Sequence, residues 1–497
     1  MTPRGIETPS IELVPILPEL ILVGVAIILL LADAVRPSTD RTPLFALSLL
    51  AVVVAAGFAM AGWDQAQGPD GRIVPSRLTA LGGMVAADAF GAFFRVLILA
   101  SAALAMLFTH HYFRRAADER GELYPLLLFA TSGMTLISVA ADLIVVFLAL
   151  EILSLSLYVL VGMARSRLEA QEAGLKYFLL GAFSSAFFLY GIAFLYGASG
   201  TTSLGGVAEA LTGEGGRTAA LGLIGAGLLT VGFAFKVAAV PFHMWTPDVY
   251  QGAATPITAF MSAGTKVAGF AALLRVATIA LGPVSWDVRP ALWWISALTM
   301  VVGSVLAIAQ RDVKRMLAYS SIAHAGFILV GVVAANQQGV SGAMFYLAAY
   351  AAMILGSFGV VMVVSGRRED RTGLEAFRGL GRRSPVLAAV LSLFLLSLAG
   401  IPPTGGFMAK VFVFGAGIEA GQSALVIVAV LASVVAAFFY LRVIVLMYLE
   451  EPTEQGRPER AAMPALGLGL TAIATVVLGV APGVLLGVLR TAAVLRW

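Results

Sequence analysis

Cysteine is absent from the 497 residues, which excludes disulfides, cysteine-ligated iron–sulfur clusters and a thiol nucleophile from this chain. Charge is scarce as well: 12% of the residues are charged against 60% hydrophobic, and mean hydropathy is +0.94. That balance excludes an ordinary soluble domain and reads as an integral membrane protein. The first apolar run has no basic region before it and no small-residue cleavage pattern after it, so it reads as a retained span rather than a signal peptide. Apolar/polar alternation is lacking too. The long continuous runs favour helices over a barrel, because in lipid each segment must satisfy its own backbone groups.

Apolar stretches of membrane length number about 14. They begin near Ile11, Pro43, Ala89, Glu122, Asp142, Ala173, Ala219, Pro256, Pro290, Met316, Gly339, Pro385, Ser423 and Ala462. An even count puts both termini on one side, and the loops then divide the basic residues unequally. Eighteen fall on one face, including Arg114, Arg115, Arg165, Arg167, Arg311, Lys314, Arg315 and the run from Arg367 to Arg383. The other face holds seven: Arg4, Arg72, Arg77, Arg217, Arg289, Arg490 and Arg496. The positive-inside rule makes the first face cytoplasmic and puts both termini outside. The Arg367 to Arg383 run could also meet anionic lipid or a partner subunit.

Lysine is rare, with five among 32 basic residues, and Lys176, Lys236, Lys266 and Lys410 fall inside apolar spans. A charge at a helix centre costs about 2.5–3.5 kcal/mol on insertion, so chance does not explain four. Guanidinium stays protonated, whereas an ammonium in apolar surroundings can give its proton up. Glu151, near the middle of the fifth span, is the candidate counter-charge. A carboxylate–amine pair whose separation changes acts as a proton switch. Each of these residues also has a structural reading, as a fixed ion pair or a side chain snorkelling to the interface. For Arg95, Arg275 and Arg442, near span ends, that structural reading leads, and Asp142 reads as a helix N-cap.

Ionisable positions recur at a nearly fixed offset. Glu151 and His324 are 173 apart, Lys236 and Lys410 are 174 apart, and Lys266 and Arg442 are 176 apart. "GFAFKV" at Gly232 and "GFMAKV" at Gly406 share G-F-x-x-K-V. The offset covers five expected helices, an odd number, so the two copies run in opposite directions, as in secondary transporters. Helix breakers flank both lysines: Gly225, Gly227, Gly232 and Pro241 about Lys236, and Pro402, Pro403, Gly405 and Gly406 before Lys410. Broken helices at membrane depth line polar cavities. "GLIGAG" has no strand before it and reads as close helix packing, not a phosphate loop. His243, beside a proline turn, and mid-span His324 are candidate proton relays. The expected fold is all-α, with about 14 transmembrane helices, two inverted five-helix repeats and two broken helices. The divisions are 1–121, a three-helix segment; 122–282 and 290–450, the repeats; and 451–497, a last helix.

These residues carry a resemblance. "LEILSLSLYVLVGM", "GLKYFLLGAFSSAFFLYG", "KVAAVPFHMWTPDVYQGAATPITAFMSAGTKVAGFAALLR", "RMLAYSSIAHAGFILVG" and "GIPPTGGFMAKVFVF" resemble the antiporter-like membrane subunits of bacterial NADH:quinone oxidoreductase, respiratory complex I, and "HMWTPDVYQGA" is closer to the N branch than to L or M. The likeness runs from about Asp142 to Tyr448. It implies a proton-translocating subunit of the bacterial cytoplasmic membrane. In it Glu151 pairs with Lys236, Lys266 is the central relay, Lys410 carries the proton on the exit side, and Lys176, His243 and His324 link them. It further implies no cofactor in this chain, with flavin, iron–sulfur clusters and quinone in partner subunits. The partners would be other complex I membrane subunits and the bilayer, and no nucleic acid. Two other readings stay open: a subunit of a sodium/proton antiporter, and a non-conducting scaffold.

Overall fold

The structure, a computed structural model, describes residues 12–36, 40–66, 79–116, 119–212, 217–366, 371–452 and 461–495. The chain runs through α1 (Leu17–Val35), α2 (Thr42–Ala66), a small hairpin of β1 (Thr79–Ala80) and β2 (Val85–Ala86), α3 (Ala89–Ala116), α4 (Leu123–Val139), α5 (Leu143–Val161), α6 (Leu168–Ser199), α7 (Leu204–Leu211), α8 (Arg217–Lys236) and α9 (Trp245–Gly252). It continues with α10 (Thr255–Phe260), a π turn at Met261–Thr265, α11 (Lys266–Thr278), α12 (Ser285–Ile308), α13 (Val313–Ala334), α14 (Gln337–Ser365), α15 (Leu380–Arg383), α16 (Pro385–Ala399), α17 (Gly405–Glu419), α18 (Ser423–Leu449), α19 (Ala462–Val480) and α20 (Pro482–Ala492). The fold is all-α, as expected, and multi-pass.

Among the described residues twelve helices are long and apolar enough to cross a membrane. Two expected spans fall short: Leu123–Val139 is a shorter apolar helix, and the span starting at Pro385 stops at Ala399 before α17 resumes. Of the orientation argument, Arg4, Arg72, Arg77, Arg367, Arg368, Arg457, Arg460 and Arg496 lie outside the described residues.

α10, α11, α13 and α14 are enclosed by protein along almost their whole length, whereas α1, α2, α6 and α19 turn much of their surface outward. Hydropathy could not have told these apart, because a lipid-facing side chain is as apolar as a packed one. Close crossings are made by small residues. A Cβ on Gly225 of "GLIGAG" would lie 2.9 Å from the Gly191 carbonyl oxygen, so these glycines bring α6 and α8 into backbone contact.

A pair of matching corners recurs. The Asp142 carboxylate caps α5 by accepting from Ile144 N at 2.8 Å and from Thr202 Oγ1 at 2.6 Å, while Leu143 N donates to Thr202 O at 2.9 Å. Asp312 caps α13 in the same way, accepting from Arg315 N at 2.9 Å and from Thr372 Oγ1, while Val313 N donates to Thr372 O at 2.8 Å. Five of the twelve candidate spans separate the two aspartates.

The structural reading of the interior arginines fits their contacts. Arg95 donates to Glu19 at 3.0 and 2.8 Å, and Arg442 donates to the carbonyl oxygens of Ile308 and Gln310 at the end of α12. Arg275, 1% exposed, forks onto Asp88 at 2.6 and 2.8 Å and lies over the Phe90 ring. Burial opposes ionisation of Asp88, but the Arg275 charge and hydrogen bonds hold its carboxyl below the ordinary value of 3.8. Its contribution to stability is therefore full at neutral pH and fades only as the pH falls through that lowered value. Arg275→Ala leaves the carboxylate without its cation and is expected to cost about 3–5 kcal/mol. A lowered unfolding midpoint of the detergent-purified protein at neutral pH is the check.

Candidate functional site

The first interruption follows Lys236. α8 ends on this residue, Ala238 takes a left-handed conformation (φ 63°), and α9 resumes at Trp245. The loop is tied down by Val240 N donating to Thr299 Oγ1 at 2.9 Å and Trp245 Nε1 donating to Phe235 O at 3.0 Å. Lys236 is 6% exposed, and its amine donates to Ser154 Oγ at 2.9 Å. Ser154 stands one turn beyond Glu151 on α5, and Glu151 itself accepts from Ser185 of α6. The expected Glu151–Lys236 pair is thus close enough to interact electrostatically, yet no salt bridge joins them among the described residues. A serine hydroxyl holds the amine.

Lys266 follows the π turn, a local widening that often marks a working site in a helix. It is 2% exposed, donates to Ser321 Oγ at 2.7 Å and to Ser321 O, and lies 5.2 Å from the centre of the Tyr350 ring. Tyr350 OH donates to the same Ser321 hydroxyl at 2.8 Å. One turn along, Gly269 packs on the Lys236 stem, with an ideal Cβ only 3.5 Å from Lys236 Cγ. That glycine lets α11 pack closely against the Lys236 stem.

His324 lies one turn beyond Ser321 on α13 and is 1% exposed. Its Nδ1 is 2.7 Å from Tyr346 OH and its Nε2 3.2 Å from Tyr440 OH, and Tyr440 also meets Ser320. Both Lys266 and Lys410 act on it electrostatically.

The second interruption precedes Lys410. α16 ends at Ala399, Gly400 turns left-handed (φ 86°), and α17 starts at Gly405. The last carbonyls of a helix lack partners within it and carry its negative end. Lys410 supplies the partner, donating to Leu398 O at 3.2 Å, Ala399 O at 2.8 Å and Ser433 Oγ at 2.5 Å, 5.0 Å from the centre of the Phe327 ring. The shared G-F-x-x-K-V text therefore conceals a difference: the helix breaks after the first lysine and before the second.

Lys176 and His243 lie outside this row. The Lys176 side chain is 42% exposed and pairs with Glu172 at 2.7 Å and Asp248 at 2.8 Å. Arg315 donates to Asp248 and to Gln251 at 2.7 and 2.9 Å. These groups line a cleft of about 990 Å³ that also touches Arg167, Glu169 and Thr372. His243 sits half-buried in the loop after α8, beside the Pro241 backbone.

Sequence reasoning missed several members. Lys314, assigned to the basic surface, is 1% exposed and donates to Ala253 O at 2.7 Å. The hydroxyls of Ser154, Ser321, Tyr346, Tyr350 and Tyr440 were also missed. Their one sequence signal is helical spacing, Ser321 to His324 and Tyr346 to Tyr350, and apolar text around them hides it.

A family model described as NADH:quinone oxidoreductase/Mrp antiporter, TM, matches residues 140–436. A protein named NADH-quinone oxidoreductase subunit N from Trichlorobacter lovleyi is 43% identical over 96% of this chain and 96% of its own length. A chain of respiratory complex I from Thermus thermophilus superposes with TM-score 0.80 at 34% identity, over 96% of this chain and all of that one. A chain of the Mrp complex from Dietzia sp. DQ12-45-1b superposes with TM-score 0.82 at 22% identity, over 97% of each chain, and shares the fold. The chain belongs to the NADH:quinone oxidoreductase/Mrp antiporter membrane family, among relatives named NADH-quinone oxidoreductase subunit N.

Proposed function

We propose that this chain is a proton-translocating membrane subunit of NADH:quinone oxidoreductase, driven by redox chemistry in partner subunits. The observation that carries the proposal is the row of three buried amines, each held by a hydroxyl, with a doubly hydrogen-bonded histidine between the second and third. A hydroxyl both donates and accepts, so it can pass a proton to a neighbour within hydrogen-bond reach. An arginine in such a place could not release one.

In this account Glu151 and Lys236 form the switch, with Ser154 as the group the amine leaves when it swings toward the carboxylate. Lys266 is the central relay, His324 links it onward, and Lys410 carries the proton at the second interruption. Lys176 and His243 serve at the margins, one in the cleft and one in the first break. The division into two inverted repeats at 122–282 and 290–450 is supported by the matching Asp142 and Asp312 corners, which five candidate spans separate. Fourteen crossings follow if α4 and the α16–α17 pair each count as one. The arginine-rich face is then cytoplasmic, both termini lie outside, and the membrane is the bacterial cytoplasmic one. Flavin, iron–sulfur clusters and quinone belong to partner subunits.

Glu151→Ala and Lys236→Ala are each expected to lower NADH-driven proton pumping in vesicles carrying the assembled complex. An unchanged proton-to-electron ratio in both would contradict the assignment. Co-purification with flavin- and iron–sulfur-containing subunits separates this reading from a sodium/proton antiporter subunit.

A further inference from the structure

We propose that Arg275 is a positioning residue for Lys266: its fork onto Asp88, at the start of α3, fixes the rotation of α11 beyond the π turn, so that the amine on the opposite face of the helix meets Ser321. This rests on the proton-carrying reading above. It also gives α1 to α3, which hold no lysine, a part in that function.

The π turn makes such an anchor necessary. Met261–Thr265 accommodates one residue more than the α-helical turns on either side of it. Closing it to an α-turn would rotate everything beyond by about 100° and shift it by about 1.5 Å along the axis, taking the Lys266 amine off Ser321. The hydroxyls of the turn make only local bonds, Ser262 Oγ donating to Ala259 O at 3.0 Å and Thr265 Oγ1 to Met261 O at 2.5 Å. α11 reads KVAGFAALLRVAT, and Lys266 and Arg275 are its only charged residues. Apolar packing specifies a rotation less sharply than a bidentate hydrogen bond does.

Lys266 and Arg275 are nine residues apart, about two and a half turns, so they leave α11 on opposite faces. Lys266 faces α13, donating to Ser321 Oγ at 2.7 Å. Arg275 faces the junction of α3 and α4. Its Nη1 and Nη2 donate to the two Asp88 carboxylate oxygens at 2.6 and 2.8 Å, Nη2 also donates to Ser138 O at 3.1 Å, and the guanidinium lies 4.8 Å from the centre of the Phe90 ring. Together these contacts fix a planar group in both place and tilt. The acceptor is held as well. Asp88 accepts from Gly91 N at 2.7 Å, a Cβ on Gly91 would lie 2.5 Å from Val139 Cγ1, and Ala141 N, just beyond α4, donates to Met84 O of the preceding hairpin at 2.9 Å. Arg275 thus ties α11 to a braced corner about 14 Å along the axis from Lys266. Its bonds lie outside the amine row, so its effect on proton transfer passes through the position of α11.

Gly269, one turn past Lys266, supplies the readout. An ideal Cβ there would lie 3.3 Å from Val237 Cγ1, just beyond α8, a spacing a disulfide can span, and the chain has no cysteine of its own. In the assembled complex, Val237→Cys with Gly269→Cys is expected to cross-link on oxidation with copper phenanthroline, scored by mass spectrometry of the joined peptides. Asp88→Asn with Arg275→Gln removes the fork without leaving a buried charge unpaired. It is expected to lower the cross-linked fraction by about three-fold or more and, without the added thiols, to lower the proton-to-electron ratio by about three-fold. Arg275→Lys, which keeps the charge but replaces the fork by a point donor, is expected to lower both by less, and it carries the test if the neutral pair does not assemble. An unchanged cross-linked fraction, or an unchanged ratio, in the assembled variants would overturn the positioning role. Lys266→Ala, run alongside, distinguishes the parent reading: normal pumping there removes the proton-carrying account, while the cross-link still reports where α11 lies.

Discussion

Lys266→Ala is expected to abolish the proton transport that passes through this chain, by about 100-fold or more, while the complex still assembles. Two features separate these effects. The amine is the cationic group bonded to Ser321, so its loss interrupts the row at its centre. The hydroxyl it leaves behind keeps Tyr350 as a partner at 2.8 Å, so it is not stranded and the fold has little reason to fail. A scaffold reading predicts the reverse, with loss of assembly and unimpaired pumping in whatever complex remains. Proton uptake per NADH in vesicles, normalised to assembled complex, decides between them.

Lys410→Ala is expected to cost both pumping and stability. Here the amine is also structural: it is the donor to Leu398 O and Ala399 O at the broken end of α16. Removing it takes the donor from Leu398 O and leaves Ala399 O only the long Ser433 Oγ contact at 3.5 Å, and a stranded carbonyl costs about 1–3 kcal/mol. The unfolding midpoint should fall in Lys410→Ala and hold in Lys266→Ala, with proton uptake lost in both. Equal midpoints for the two variants would show that the α16 carbonyls find another donor.

Much of this was legible in the sequence for one reason: a lysine at membrane depth is costly, so lysines among apolar residues stand out, and three of the four so placed, Lys236, Lys266 and Lys410, are buried. The helices were legible because apolar runs of membrane length have few other folds available. Three things were not. Lys314 looks like one more basic residue in "RDVKR", and only the fold brings the Ala253 carbonyl to it. The tyrosine and serine hydroxyls connecting the amines look like ordinary apolar-helix residues until α13, α14 and α18 are packed together. The positions of the breaks were half legible. Glycine and proline flank both lysines, but the Gly225 to Gly232 stretch stays helical, Gly225 and Gly232 serving packing against α6, and the chain leaves the helix only after Lys236. The offset of 174 taken from the lysines likewise marked a text match, whereas the Asp142–Thr202 and Asp312–Thr372 corners repeat at 170.

The central claim is that these amines release their protons during turnover, and the Lys410→Arg variant tests it most directly. Guanidinium can donate to the same two carbonyls and Ser433, so charge and helix-end pairing survive, but it does not deprotonate. The account predicts an assembled complex of near-normal stability with a lowered proton-to-electron ratio. A ratio equal to that of the unmodified complex would mean that a fixed positive charge suffices at this position, and the relay would be contradicted.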